Sequence, residues 1–372
     1  MLLKTPDNQA VALPRLDADS DSSPLRRRSG WIVGPWFDLF FLLNILWPLA
    51  FLPGYVSPEG APYVNFWMAY FLATPHRWMT ILLVVCDRDR RGGRTWLFAL
   101  FGLLAAVLVA GTYMATGSFQ ILALGYAIIV GWHFASQHAG ILRMYSRKAG
   151  GGRRWLETWL PRIFVLYASM RILPGFDQAL QYAGFEGIGL GGLELLGIER
   201  LGMNLDTLDW AMLAVPLGMI AVELLDRPWA HLPKLLYLTS FTTLYGSLIM
   251  AAHYQNQMLC FALLAAATIT HSVEYLAVTT FYASRRRTLG SAGLFRLMAK
   301  NWTVVFLWYL LLCGLLYSFA DNASMSIIVA WFGINLTASI LHCVYDGMMW
   351  KLRNPATAKV LDVEILPAEA SP

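Results

Sequence analysis

Apolar and polar positions alternate along this chain in long blocks: ten apolar runs are separated by shorter polar connections, many of them basic. The runs are Ile32–Leu52, Val64–Cys86, Thr95–Ala115, Phe119–Tyr145, Trp155–Leu173, Leu208–Leu225, Leu235–His253, Met258–Ala283, Trp302–Ala320 and Ser326–Trp350. Each approaches the roughly 20 residues an α-helix needs to cross about 30 Å of hydrocarbon. The pattern predicts an all-α, polytopic integral membrane bundle of about ten transmembrane helices within residues 31–353. The fifth run, with Pro161, Arg162 and Arg171, is the poorest match to a span.

Outside these runs the chain is polar. Residues 1–30 contain "DADSDSS" and no apolar core, which predicts a disordered cytoplasmic arm, and 354–372 reads as a similar cytoplasmic tail. The outer loop 174–207 carries "GIGLGGLELLGIERLG". It reads as an amphipathic surface cap, because its glycines lack the lysine and the strand-to-helix setting of a phosphate-binding loop.

Charge orients the threading. With a cytoplasmic N-terminus, Arg26, Arg27, Arg28, "DRDRRGGR" (87–94), "RMYSRKAGGGRR" (143–154), "SRRR" (284–287), Lys351 and Arg353 all fall on one side, and only Arg200 falls in an outside loop. That asymmetry predicts both termini in the cytoplasm, in a bacterial-type inner membrane. The composition, 57% hydrophobic and 14% charged over 372 residues with a mean hydropathy of +0.52, leaves too little polar surface for a soluble globule. The formal charge of +5 and pI near 9.0 then follow from topology, and no nucleic-acid partner is expected. Cys86, Cys260, Cys313 and Cys343 lie in or at the ends of runs without CxxC spacing, as free thiols packed among apolar groups do.

Candidate chemistry resides in the histidines. His231 sits in a short inner loop and His253 at the outer end of the seventh run, both with access to water. His76, His133, His138, His271 and His342 instead occupy one slab between the midplane and the inner leaflet. Four of these, His76, His133, His271 and His342, lie on separate helices predicted to run parallel, so their rings can converge on one metal. Asp346 follows His342 by four residues and Glu274 follows His271 by three, each on its histidine's face, and Gln137 holds the equivalent place after His133. His138 is turned about 140° from His133 on a helix of 3.6 residues per turn. Glu274, Asp346 and His138 are therefore the candidates to orient ligands or move protons. Arg77 has Asp38, Asp346 and Glu274 as candidate partners, while Tyr275, Tyr345 and Trp132 read as aromatic lining or packing.

Imidazoles with one or two carboxylates suit iron, zinc or manganese, and no thiolate cluster points to copper(I) or iron–sulfur chemistry. A site open to hydrocarbon favours Fe(II) and dioxygen acting on an apolar small molecule drawn from the bilayer lipids over zinc hydrolysis. The other readings are an interhelical hydrogen-bond network, a proton- or ion-coupled transporter, and a bis-histidine haem b protein.

The stretches "TPH" (74–76), "WHF" (132–134), "THS" (270–272) and "LHCVYD" (341–346) resemble, in that order, the histidine motifs of the Brp/Blh-type membrane β-carotene 15,15′-dioxygenases. The resemblance implies a helical membrane enzyme that holds non-haem iron through His76, His133 and His271, with His342 and Asp346 as the final motif. The chain departs from that family at Tyr275, where a second histidine is expected, and at His138 and Thr80, where acids are expected. It is also longer, with more spans.

Overall fold

The computed structural model describes residues 30–49, 69–172, 205–226, 232–289, 293–321 and 324–363. The predicted arm, apart from Gly30, and the outer loop 174–204 lie outside the described residues, as do 364–372 of the tail. The described residues are helical and contain no strand. The principal helices are α1 (Thr74–Cys86), α2 (Thr95–Thr116), α3 (Gln120–Lys148), α4 (Arg154–Ile172), α5 (Leu205–Asp226), α6 (Leu232–His253), α7 (Gln257–Leu289), α8 (Gly293–Lys300), α9 (Trp302–Asp321), α10 (Met325–Met349) and α11 (Pro355–Val360).

Five helices, α2, α5, α6, α7 and α10, are long and apolar enough to cross a membrane, and α8 with α9, bent by 99°, form a sixth candidate. Among the described residues the ten apolar runs thus yield five or six spans by length and composition. The run Val64–Cys86 is described only from residue 69, where it gives a shorter apolar helix, Phe71–Cys86, and two physical reasons account for the other three differences. Helices α3 and α4 have the length, 29 and 19 residues, but carry polar side chains such as His133, Gln137, Arg143 and Glu157 turned into the protein. The run Ile32–Leu52 is not one helix, since Pro35–Phe37 passes into a π-helical turn, Asp38–Leu42, and Asn44 then reverses the backbone at φ 48°. The fifth run, in contrast, forms α4 continuously through Pro161.

The layering follows hydropathy. Some 67% of the apolar window is buried in α6 and in α7, against 17% in α2 and 22% in α5, so α6 and α7 form the interior. The exposed rows Leu100, Leu103, Leu104 and Leu108 on α2, and Val304, Leu307, Leu311 and Leu315 on α9, present apolar faces of the kind lipid covers. Helices α3 and α4 form a hairpin, turned at Gly150 with φ 88°. A Cβ at Gly131 would stand 3.0 Å from Ser169 Cβ, so the two backbones approach as closely as small residues permit.

Buried ion pairs tie the ends together. At the basic end Glu157, fully buried, pairs with Arg143 of α3 and with Lys234 of α6 at 2.7 Å, and Lys234 also holds Glu223 of α5 at 2.5 Å. At the opposite end Asp209 accepts hydrogen bonds from Tyr167 at 2.5 Å and Arg171 at 3.1 Å and meets His253 Nδ1 at 3.0 Å. The segment after Pro355 differs from the disordered tail expected of it: α11 and its flank bury Ala358, Leu361 and Val363, and Asp362 meets Lys148 at 2.9 Å. With Val360, also buried, four well-placed apolar side chains suffice to dock a segment that reads as polar overall.

Candidate metal centre

Helices α1, α3, α7 and α10 each deliver one histidine to a common point. His76 follows a π-helical turn, Ala69–Ala73, and Pro75, which needs no amide donor in the first turn of α1. The carbonyls exposed there are used: Arg77 Nε donates to Ala73 O at 2.8 Å and Tyr309 donates to Pro75 O at 2.5 Å. The four imidazoles form a closed quadrilateral. Ring centres are 5.2 Å apart for His76 and His271, 4.9 Å for His271 and His133, 4.5 Å for His133 and His342, and 4.7 Å for His342 and His76. The diagonal from His271 to His342 is 6.4 Å.

One helical turn further on lies a second layer. Thr80 Oγ1 is 2.5 Å from Tyr275 Oη and 3.0 Å from Asp346 Oδ1, and Tyr275 donates to the same Asp346 oxygen at 3.0 Å. Thr80, Tyr275 and Asp346 each stand four residues after a histidine of the first layer, so α1, α7 and α10 run parallel. Gln137, four after His133, donates to Glu274 at 2.9 Å, which aligns α3 with α7. The parallel arrangement expected from threading is therefore present.

Ring orientation is controlled from outside the quadrilateral. Ser272 Oγ is 3.1 Å from His76 Nδ1, Thr80 Oγ1 is 2.6 Å from His342 Nδ1, and Phe134 stacks on His271 with centres 3.8 Å apart. Several buried ring nitrogens here lack a hydrogen-bond partner: His133 Nε2, His342 Nε2 and, on His271, both Nδ1 and Nε2. An unsatisfied buried polar atom costs about 1–3 kcal/mol, so their concentration on neighbouring rings favours a shared ligand to which each ring offers one nitrogen. Ligand atoms of His76, His271 and His342 lie within 4.8 Å of one another, as do those of His133, His342 and Asp346. Asp346 Oδ2 is 3.9 Å from His133 Nε2.

The separations discriminate between coordination shapes. With a metal–nitrogen bond of about 2.1 Å a ring centre lies about 3.2 Å from the metal, so rings at right angles are about 4.5 Å apart, opposed rings about 6.4 Å and tetrahedral rings about 5.2 Å. The diagonal of 6.4 Å and the sides of 4.5 and 4.7 Å match opposed and right-angled pairs, while the sides of 5.2 and 4.9 Å lie at or near the tetrahedral value. His271 and His342 face each other across the centre, with His76 and His133 beside both. A regular tetrahedron does not fit.

The remaining predicted residues lie beside this centre. His138, fully buried, meets Tyr237 Oη at 2.7 Å and Tyr245 Oη at 3.1 Å. Its Nδ1 is 3.6 Å from Glu274, which also accepts from Tyr237 at 3.3 Å. Glu274 reaches the histidine cluster through Gln137, which donates to His271 O at 2.9 Å as well as to Glu274. Arg77 takes none of the acidic partners expected for it: it donates to Ser339 Oγ at 2.6 Å. Asp38 is occupied by the backbone N–H groups of Ile32 and Val33 and by Tyr145. Tyr275, expected to line or pack, and Thr80 instead bond directly to the site. Their signal was present as a polar residue four positions after every one of the four histidines.

Two cavities meet at His133. One, of about 610 Å³, runs between α3, α4 and α10 and is bordered by His133, Gln137, Tyr275 and Asp346 at its inner limit. The other, of about 160 Å³, touches His76, His133 and His342. Comparison with protein-family models, with curated proteins and with solved structures gives no match.

Proposed function

We propose that the chain is a membrane-embedded oxidoreductase in which His76, His133, His271 and His342 hold one non-haem Fe(II), with Asp346 as a further ligand or an acceptor that orients His342. The concentration of unpartnered ring nitrogens on neighbouring rings carries this reading. Iron accepts nitrogen and oxygen donors in more than four positions, which suits opposed and right-angled rings better than the tetrahedral preference of zinc. Haem fits poorly, because a macrocycle between His271 and His342 would need the space that His76 and His133 take.

The substrate in this reading is an apolar, lipid- or carotenoid-like molecule entering the larger cavity from the bilayer. Dioxygen, itself soluble in hydrocarbon, is the oxidant. A dioxygenase cleaving a carbon–carbon double bond places one oxygen atom on each carbon, so the electrons balance without a further donor. Tyr275, Asp346 and Thr80 position the substrate and the ligands, and His138 with Glu274 stands ready to hold a proton. The reading includes ten spans, both termini on the cytoplasmic side and a bacterial inner membrane, on the strength of the basic loop asymmetry.

Metal analysis of the detergent-purified protein beside His76→Ala, His133→Ala, His271→Ala and His342→Ala tests this. Stoichiometric iron, lost in each variant, is the expected result. A second reading, proton-coupled transport, draws on the buried group of His138, Glu274, Tyr237 and Tyr245. Metal-free protein whose vesicles conduct protons in a histidine-dependent way would replace the first reading by the second.

A further inference from the structure

The larger cavity is predominantly basic. Its described lining includes Arg143, Arg147, Arg154, Arg162, Lys351 and Arg353, and among the described lining residues the one acidic side chain is Asp346, at the histidine centre. Arg154, Lys351 and Arg353 lie at the basic end of the bundle, where positive residues mark topology. Arg162 cannot be explained that way. It sits eight residues beyond Arg154 on α4, about 12 Å further along the axis.

Its environment is also unusual. The guanidinium lies over Trp132 and Trp159, 5.2 and 5.3 Å from the ring centres, and Nε is buried without a hydrogen-bond partner. Among the described residues no carboxylate pairs with it, and Glu157, one turn away on the same helix, is committed to Arg143 and Lys234. An arginine set in the wall of a cavity away from the basic end, with no carboxylate paired to it among the described residues, is placed to meet a charged ligand. Trp132 and Trp159 are both open at the surface of the bundle, which gives a lipid-like molecule lateral access.

We propose that the cavity binds an amphiphile whose acidic group, a carboxylate or a phosphate, pairs with Arg162 while its apolar chain lies along Ile129, Met144, Val278 and Val344. This rests on the reading of the histidine centre as the place where that chain reacts. The ion pair anchors one end and so selects which carbon comes to lie beside His133. Arginine suits this task, because its planar fork engages carboxylate and phosphate through two parallel hydrogen bonds while stacking on aromatic rings.

The test is calorimetric titration of the iron-loaded, detergent-purified full chain with oleate and with oleyl alcohol, which share a chain and differ in charge. Oleate is expected to bind at least ~10-fold more tightly. Arg162→Gln should abolish that preference and leave the binding of oleyl alcohol unchanged, and Arg162→Lys should retain much of it. A merely structural arginine would alter stability without altering the ratio. Equal binding of the two probes by the wild type, or a preference that survives in Arg162→Gln, overturns the proposal. Displacement of oleate by phosphatidylglycerol but not by phosphatidylcholine would support a membrane-lipid phosphate as the source of the head group; resistance to both would support a free acid. Iron content read in the same samples separates the two proposals: wild type that holds full iron but shows no preference overturns this one alone, and wild type that takes up no iron yet keeps the preference overturns the metal centre alone.

Discussion

Replacing His271 with leucine should raise the stability of metal-free protein and remove most of the stabilisation that metal confers. The side chain is fully buried and both of its ring nitrogens lack hydrogen-bond partners. Each such atom costs about 1–3 kcal/mol, so leucine relieves about 2–6 kcal/mol in metal-free protein. Against this stands the lost stacking on Phe134, worth about 0.5–1.5 kcal/mol. The net expectation is a metal-free variant more stable than metal-free wild type by about 0.5–5.5 kcal/mol. With metal at a hundred times its dissociation constant the wild type gains about 2.7 kcal/mol, and the variant, short of one ligand, loses most of that gain. Denaturant unfolding in detergent, followed by tryptophan fluorescence with chelator and then with Fe(II), reads both arms. If His271→Leu destabilises the protein equally in both conditions, the ring is held by ordinary hydrogen bonding and the reasoning from orphaned nitrogens fails.

Three further outcomes are expected. Thr80→Val removes the hydroxyl shared by Tyr275, His342 and Asp346 and should weaken metal binding about 10–100-fold, with Thr80→Ser near wild type; metal competition against a chelator checks this, and an unchanged affinity would show the second layer to be inert. Gly131→Val places a side chain where a Cβ already stands 3.0 Å from Ser169, and should cost about 1–3 kcal/mol by prising α3 from α4; recovery of stability in Gly131→Val combined with Ser169→Gly would confirm the contact, and no recovery would refute it. Glu157→Ala leaves Arg143 and Lys234 as buried like charges and should cost about 3 kcal/mol, the lower end of the range because Lys234 keeps Glu223; a loss under about 1 kcal/mol would show the network to be dispensable.

Much of this architecture is legible from the order of residues. Apolar runs mark α2, α5, α6, α7, α9 and α10 to within a few positions, because hydrocarbon imposes one length and one composition on any helix that crosses it. Depth is legible too, since counting residues from a helix end locates His76, His133, His271 and His342 in one layer. The polar residue four positions after each histidine is visible in the sequence, yet only at Asp346 and Gln137 does its type announce a role. Thr80 and Tyr275 are common packing residues, and nothing in the local sequence marks them as bonded to each other. The break at Asn44 and the docking of α11 escape a hydropathy reading for a related reason: each depends on contacts with distant helices, not on local composition.

By itself the sequence determined a helical membrane protein, the level at which its imidazoles lie and the face each shares with a neighbouring polar group, because these are properties of one helix and its solvent. The tertiary structure alone decided which histidine rings meet, that Arg77 turns to Ser339 instead of to an acid, and that Arg162 stands over two indoles with no carboxylate paired to it among the described residues. Rotation about a helix axis and the choice of lateral neighbours are fixed by side-chain packing between segments far apart in the chain, and no one-dimensional period encodes them.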